Sequence, residues 1–147
     1  QVELQEMQQR IQEFRETAAQ ELQKRSAEMM RPLYEKARAS IEKVAKLTVQ
    51  CLNDNVPKEV PGIVFLSGGQ SNEKATLHLN EMNKIFRDLS WKLSFSYGRA
   101  LQQPSISSWK GEKNNVKISQ DALFNRSKLN SSATSGTYSP KDEQPTL

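Results

Sequence analysis

Two short stretches hold the residue types that bind phosphate: Ser67-Gly68-Gly69, and Gly98-Arg99 thirty residues on. Each closes an apolar run. Val64, Phe65 and Leu66 lead into the first, and the alternating Trp91, Leu93, Phe95 and Tyr97 lead into the second. A helical pattern follows each at once. A strand that stops at glycine and opens a helix leaves several backbone N–H groups unpaired and pointing one way, which favours an anion and above all a phosphate. Two such turns side by side, one supplying an arginine fork, would hold a phosphate monoester.

Other reactive side chains are sparse. Cys51 is the sole cysteine, so no internal disulfide forms, and it reads as a small apolar residue on a helix face. His78 is the sole histidine and has no second ligand one helical turn away, so no metal site is expected and no cofactor is called for. Asn125-Arg126-Ser127 and Asn130-Ser131-Ser132 fit the glycosylation sequon but fall inside an expected helix.

The elements that must position the two turns follow from periodicity. Pro61-Gly62 starts a first strand, and Ser71 is placed to cap a helix over 72–87 whose stripe is Ala75, Leu79, Met82 and Phe86. A second strand covers 91–97, its two faces distinguished by Lys92, Ser94 and Ser96. A short helix is expected over 100–109, interrupted near Pro104. Another runs over 113–133 with Val116, Ala122, Leu129 and Ala133 inward, and Gly136 stops it. Residues 137–147 read as a loose tail. This β-α-β-α order is the unit of parallel α/β folds.

Upstream, residues 3–53 form one helical pattern. Leu4, Met7, Ile11, Phe14 and Ala18 make a coiled-coil seam, which slips at Leu22 and resumes with Met30, Leu33, Ala37, Ile41, Val44, Thr48 and Cys51. Pro32 lies inside it and is expected to kink it. Such a narrow stripe needs a partner, and self-association through this N-terminal helix is the expectation.

The 147 residues amount to about one domain, with 35% apolar content and room for a modest core. The net charge of +4 is spread along the chain, which argues against a nucleic-acid partner. No 18-residue apolar run exists, so no membrane span is expected. The chain begins at Gln1 and reads as a piece, or a mature product, of something longer.

GIVFLSGGQS (62–71), the helix containing ATLHLNEMN and WKLSFSYGRALQ (91–102) closely resemble the end of class I fructose-bisphosphate aldolases. The resemblance extends back through Val56-Pro57-Lys58-Glu59-Val60-Pro61. It runs forward through Trp109-Lys110-Gly111, Asn115-Val116, Arg126, Asn130-Ser131 and Gly136-Thr137-Tyr138, covering about 46–140. It implies an α/β fold, the last two βα units of a (β/α)8 TIM barrel, in which phosphate is held at the loops after those strands. It also implies that Ser67, Gly68, Gly69, Ser96, Gly98 and Arg99 bind the phosphate of a sugar phosphate, fructose 1,6-bisphosphate or dihydroxyacetone phosphate.

The family is a glycolytic lyase that works through a lysine Schiff base. That lysine belongs to the sixth strand, whose place is taken here by the long helix. Lys43, Lys46 and Lys92 do not match its motif, and the family's C-terminal tyrosine has no counterpart, so no catalytic residue is assigned. The first third, 6–46, resembles instead the C-terminal helical arm of the OmpH/Skp periplasmic chaperones. The expected organisation is an amphipathic helix over 1–45, an aldolase-like βαβα segment over 46–138 and a flexible tail over 139–147. The aldolase-like part implies the cytoplasm and the chaperone-like part the periplasm. The alternative function is a coiled-coil holdase or oligomerisation module.

Overall fold

The computed structural model describes residues 2–143, without the side chains of residues 2–4, so the seam position Leu4 and the tail 144–147 lie outside the described residues. Eight elements follow in order: α1 (Val2–Asn55), β1 (Gly62–Phe65), α2 (Asn72–Ile85), β2 (Lys92–Phe95), α3 (Arg99–Trp109), a short 3-10 turn (Lys113–Asn115), α4 (Val116–Thr134) and a second 3-10 turn (Pro140–Asp142). The chain divides into two units, 1–40 and 41–147.

The first unit is helix alone. α1 runs unbroken through Pro32 over 54 residues in all, and every described side chain up to residue 40 is exposed. Its ion pairs, Glu21–Arg25 and Arg31–Glu35, link consecutive turns of the same helix. Pairs of this exposed kind are worth a few tenths of a kcal/mol, about 0.3–0.5 each.

The second unit has a core. β1 and β2 pair in parallel, with Gly62 opposite Lys92 and Phe65 opposite Phe95, and α2 is the crossover between them. A Cβ on Gly62 would stand 3.1 Å from the Lys92 carbonyl oxygen, a tight contact across the strand pair. α2 begins where expected, with the Ser71 hydroxyl accepting from the Lys74 N–H. Its stripe buries Ala75, Leu79 and Met82; Leu79 and Met82 meet Leu93 of β2, Leu129 and Ala133 of α4, Tyr138, and the last turns of α1, while Ala75 packs with Tyr97 and Ala100. The strand expected over 91–97 is shorter, Lys92–Phe95; Leu93 within it and Trp91 and Tyr97 beside it are buried, and Phe95 is half-buried. The outer face of β1 is uncovered, with Val64 61% and Leu66 77% exposed.

Several expectations change. In α1 the residues that enter the core are Ala45 and Val49, 1% and 0% exposed, while Val44 is 45% exposed and Cys51 is exposed. The buried face is thus turned by one residue, about 100° on a helix, from the series Val44, Thr48, Cys51. The face offered by α2 and α4 sets that rotation, and a seam extrapolated along the helix does not. α3 is continuous through Pro104. In α4, Leu129 and Ala133 are buried but Val116 is 44% exposed, and the polar Arg126 and Asn130 are buried beside them. Gly136 stops α4 with φ of +68°, and a Cβ there would lie 3.0 Å from the Lys84 backbone. Residues 137–143 are not a loose tail. Tyr138 is buried, and Ser139 and Asp142 form a reciprocal capping box around Pro140.

Candidate functional site

β1 and β2 end side by side, so the two turns that follow them are neighbours. Their adjacency is secured by the Ser96 N–H, which donates to the Phe65 carbonyl at 2.8 Å. In the first turn Ser67 is 6% exposed, Gly68 takes φ of +54°, and the Gln70 N–H closes back onto the Ser67 carbonyl at 3.2 Å. That left-handed backbone favours glycine. No bond from the Gly68 or Gly69 N–H to another protein group forms among the described residues. A Cβ placed on Gly68, Gly69 or Gly98 would meet nothing within 4 Å. The backbone of both turns is therefore open to direct approach.

Arg99, the first residue of α3, reaches across to the first turn. One Nη1 proton goes to the Asn72 Oδ1 at 3.3 Å, and Nη2 donates to the carbonyls of Gly68, at 3.5 Å, and Gln70. A guanidinium has five N–H donors, so the Nε proton and one Nη1 proton remain beyond these contacts. Gly98 caps α3, its carbonyl accepting from the Leu101 and Gln102 N–H groups. All six expected residues thus fall on two adjacent turns. Ser96, Gly98, Gly68, Gly69 and Arg99 are exposed, and Ser67 is buried. Asn72 was not singled out in the sequence. Its place as the first residue of an expected helix, next to a glycine turn, is the signal that could have found it.

Beneath the first turn lies a cavity of about 100 Å³ lined by Phe65, Gln70, Ala75, His78 and Tyr97. Tyr97 donates its hydroxyl to the Ala75 carbonyl at 2.8 Å, and burial pushes its pKa up to about 12 against a partial opposing pull from Arg126. His78 is held below its usual pKa by burial and, secondarily, by the Lys74 charge. No group of three metal-ligating side chains occurs among the described residues.

A second polar cluster sits under α4. Arg126 grips both carboxylate oxygens of Glu143 at 2.9 Å and donates to the Thr76 hydroxyl at 2.7 Å. Thr76 passes its own proton to the Asn130 Oδ1 at 2.6 Å. The Tyr138 hydroxyl donates to Glu143 at 2.6 Å, and its N–H to the Asn80 Oδ1 at 2.9 Å. Burial first, then the Glu143 carboxylate, raises the Tyr138 pKa. This network ties α2, α4 and the 137–143 segment together. Arg126 Nε and Asn130 Nδ2 find no protein partner among the described residues. Arg126 and Glu143 also line an open groove between α3 and α4 with Pro104, Ser108 and Asp121. The network left no sign in the sequence, because Thr76 and Arg126 lie 50 residues apart.

Comparison with known proteins places this geometry in a family. The family model for fructose-bisphosphate aldolase class-I matches residues 17–146. A cytoplasmic fructose-bisphosphate aldolase isozyme of Cicer arietinum is 50% identical over 110 residues, 75% of this chain and 31% of the relative. A muscle-type fructose-bisphosphate aldolase of Lethenteron camtschaticum is 50% identical over 99 residues, 67% of this chain and 27% of the relative. Among solved structures, the aldolase of Plasmodium falciparum, in complex with TRAP and a small-molecule inhibitor, is similar with a TM-score of 0.65. It is 45% identical, over 67% of this chain and 28% of that one. The chain spans about a third of the length of the relatives it matches. The family match begins at residue 17, inside α1, so it takes in most of the helix that the sequence likens to an OmpH/Skp arm.

Proposed function

This chain belongs to the class I fructose-bisphosphate aldolase family, and on that premise we propose that its two adjacent turns bind the phosphate of a sugar phosphate. Ser67, Gly68, Gly69, Ser96, Gly98 and Arg99 form the site. The observation that carries this reading is Arg99, which spans both turns through Gly68, Gln70 and Asn72 and keeps N–H donors beyond those contacts. The oxyanion enters where glycine leaves the backbone open, accepts from the Gly68, Gly69 and Gly98 region, and takes the remaining guanidinium protons. Lysine in place of Arg99 would keep the charge and lose the fork.

β1 and β2 then correspond to the last two strands of a (β/α)8 barrel. The uncovered outer face of β1 supports this, since parallel strands in complete barrels are covered on both faces. Cleavage of fructose 1,6-bisphosphate through a Schiff base is the activity of the whole barrel, in the cytoplasm. This segment supplies phosphate binding to it and, without a lysine matching the family's motif, cleaves nothing by itself.

The test is amide NMR with dihydroxyacetone phosphate. The Gly68, Gly69 and Gly98 resonances shift on titration, and Arg99→Ala abolishes the shifts. Shifts that survive in Arg99→Ala would remove the arginine from the site. Borohydride trapping with the same ligand separately tests inactivity: a stable adduct on any lysine refutes it.

One observation favours a second reading, an oligomerisation or holdase module led by 1–45. Large apolar residues of α1, among them Phe14 at 74% and Leu22 at 72%, stand exposed. Self-association through this helix is read out by sedimentation, and a monomer at all concentrations would sink it.

A further inference from the structure

Thr76, 0% exposed, makes no hydrogen bond to either glycine turn among the described residues. It nevertheless stands between Arg126 and Arg99 in an unbroken series of hydrogen bonds. Arg126 Nη2 donates to its hydroxyl oxygen at 2.7 Å. That hydroxyl lies 2.6 Å from Asn130 Oδ1 and 2.8 Å from the Asn72 carbonyl oxygen, with one proton for the two acceptors. Asn72 in turn accepts from Arg99 Nη1 through its Oδ1 at 3.3 Å. Behind Arg126, the Glu143 carboxylate accepts from Nη1 at 2.9 Å. The series thus runs from the 137–143 segment to the arginine of the phosphate turns: Glu143, Arg126, Thr76, Asn72, Arg99.

We propose that Thr76 is a positioning residue for Arg99: it fixes the first turn of α2, so that Asn72 holds the guanidinium over the first glycine turn. The proposal rests on the phosphate reading above and adds to it a residue that touches no ligand. A threonine hydroxyl in a helix divides between two rotamers, one of which reaches the carbonyl four residues back and bends the helix there. At Thr76 that carbonyl belongs to Asn72, the first residue of α2, and Arg126 and Asn130 fix the hydroxyl from the other side. Tyr97 holds the Ala75 carbonyl at 2.8 Å, so the opening turns of α2 are tied at two successive residues. Arg99 is exposed, and a long exposed side chain has rotamer freedom to lose when it binds. Each contact that already holds it over the turn lowers that cost.

A threonine that only ties α2 to α4 would have the same bonds and leave Arg99 unaffected. The two roles differ in coupling. If Thr76 acts on ligand binding at Arg99, then binding at Arg99 acts equally on Thr76.

Titration of the full chain with dihydroxyacetone phosphate, followed by NMR at the Thr76 methyl and the Arg126 Nε–H, reads that coupling without any substitution. Both resonances shift with the same midpoint as the Gly68 and Gly69 amides. In Asn72→Ala, which keeps the carbonyl and loses Oδ1, the two stand still, the glycine amides still shift, and Kd rises about threefold. Thr76→Val keeps the shape and loses the hydroxyl. It weakens binding about threefold in the otherwise unchanged chain and adds nothing in the Asn72→Ala background. Thr76→Ser keeps the original affinity.

Thr76 and Arg126 resonances that do not move at saturation make the threonine structural only and overturn the proposal, whether or not Thr76→Val folds. A lowered melting temperature in Thr76→Val with unchanged Kd does the same. Shifts at Thr76 that persist in Asn72→Ala overturn the route through Asn72, and tighter binding in that variant makes Asn72 a competitor of the phosphate. Glycine amides that do not shift in the unsubstituted chain overturn the phosphate reading and this proposal together.

Discussion

Residues 5–40 and 41–143 have similar helical sequence texture and opposite physical status. In the first, apolar side chains recur at helical spacing and all are exposed. In the second, the same kind of spacing in α2 buries Ala75, Leu79 and Met82. The difference is that α2 has a sheet and a second helix to pack against, and the first segment of α1 has only its own neighbouring turns. Amphipathicity announces that a helix needs a partner and leaves open what that partner is.

The largest effect that tests this contrast is expected at Arg126. Arg126→Ala leaves Glu143 half-paired, and Thr76 and Tyr138 without their common anchor. It should cost about 3–5 kcal/mol in chemical denaturation, as losing one partner of a buried ion pair does. A loss below 1 kcal/mol would mean that the network is decoration.

Leucine-to-alanine changes in each region sharpen the comparison directly. Leu79→Ala, at a side chain 1% exposed, should cost about 2–5 kcal/mol. Leu22→Ala should move the unfolding of the 41–143 region by no more than about 0.5 kcal/mol. The fluorescence of Trp91, buried in that region, reports both. Equal losses would break the division into two units.

Gly136→Ala probes the turn that returns the chain to the core. Its positive φ alone costs about 1–2 kcal/mol, and the added methyl crowds the Lys84 backbone. The same change at Gly69 meets open space and should be tolerated.

The smallest effects are pH-dependent and confined to the second region. Tyr97 ionises near 10 in the unfolded chain and at about 12 in the folded one. The folded state therefore holds the proton longer, and stability falls as pH rises from 10 through 12. Tyr97→Phe reduces that slope, to which Tyr138 also contributes, and removes the bond to Ala75, the latter at about 1 kcal/mol. His78 has the opposite sense. Its folded pKa lies below 6.5, so the unfolded chain protonates first and stability declines as pH falls below 6.5. His78→Gln should flatten that acid limb in a thermal-melt series.

Much of the site was legible because its signals are local. The turn glycines, the Ser71 cap and the alternation of Trp91, Leu93 and Tyr97 each act within a few residues of where they stand. The rotation of α1 into the core was not legible, since Val44 and Ala45 are equally good helix residues and only the packing surface distinguishes them. Nor was the order at 137–143. A polar, proline-containing stretch reads as loose until Arg126, far back in the chain, presents a buried partner to Glu143.

The sequence by itself determined which helices and strands form and in what order, and that two glycine turns follow two parallel strands, because caps, alternation and backbone freedom are properties of neighbouring residues. Only the tertiary structure decided that Arg99 lies across both turns and that a buried arginine holds the C-terminal segment. It also decided which face of α1 goes inward. Each of these depends on surfaces brought together from distant parts of the chain, and their distance and burial do not exist until the chain has folded.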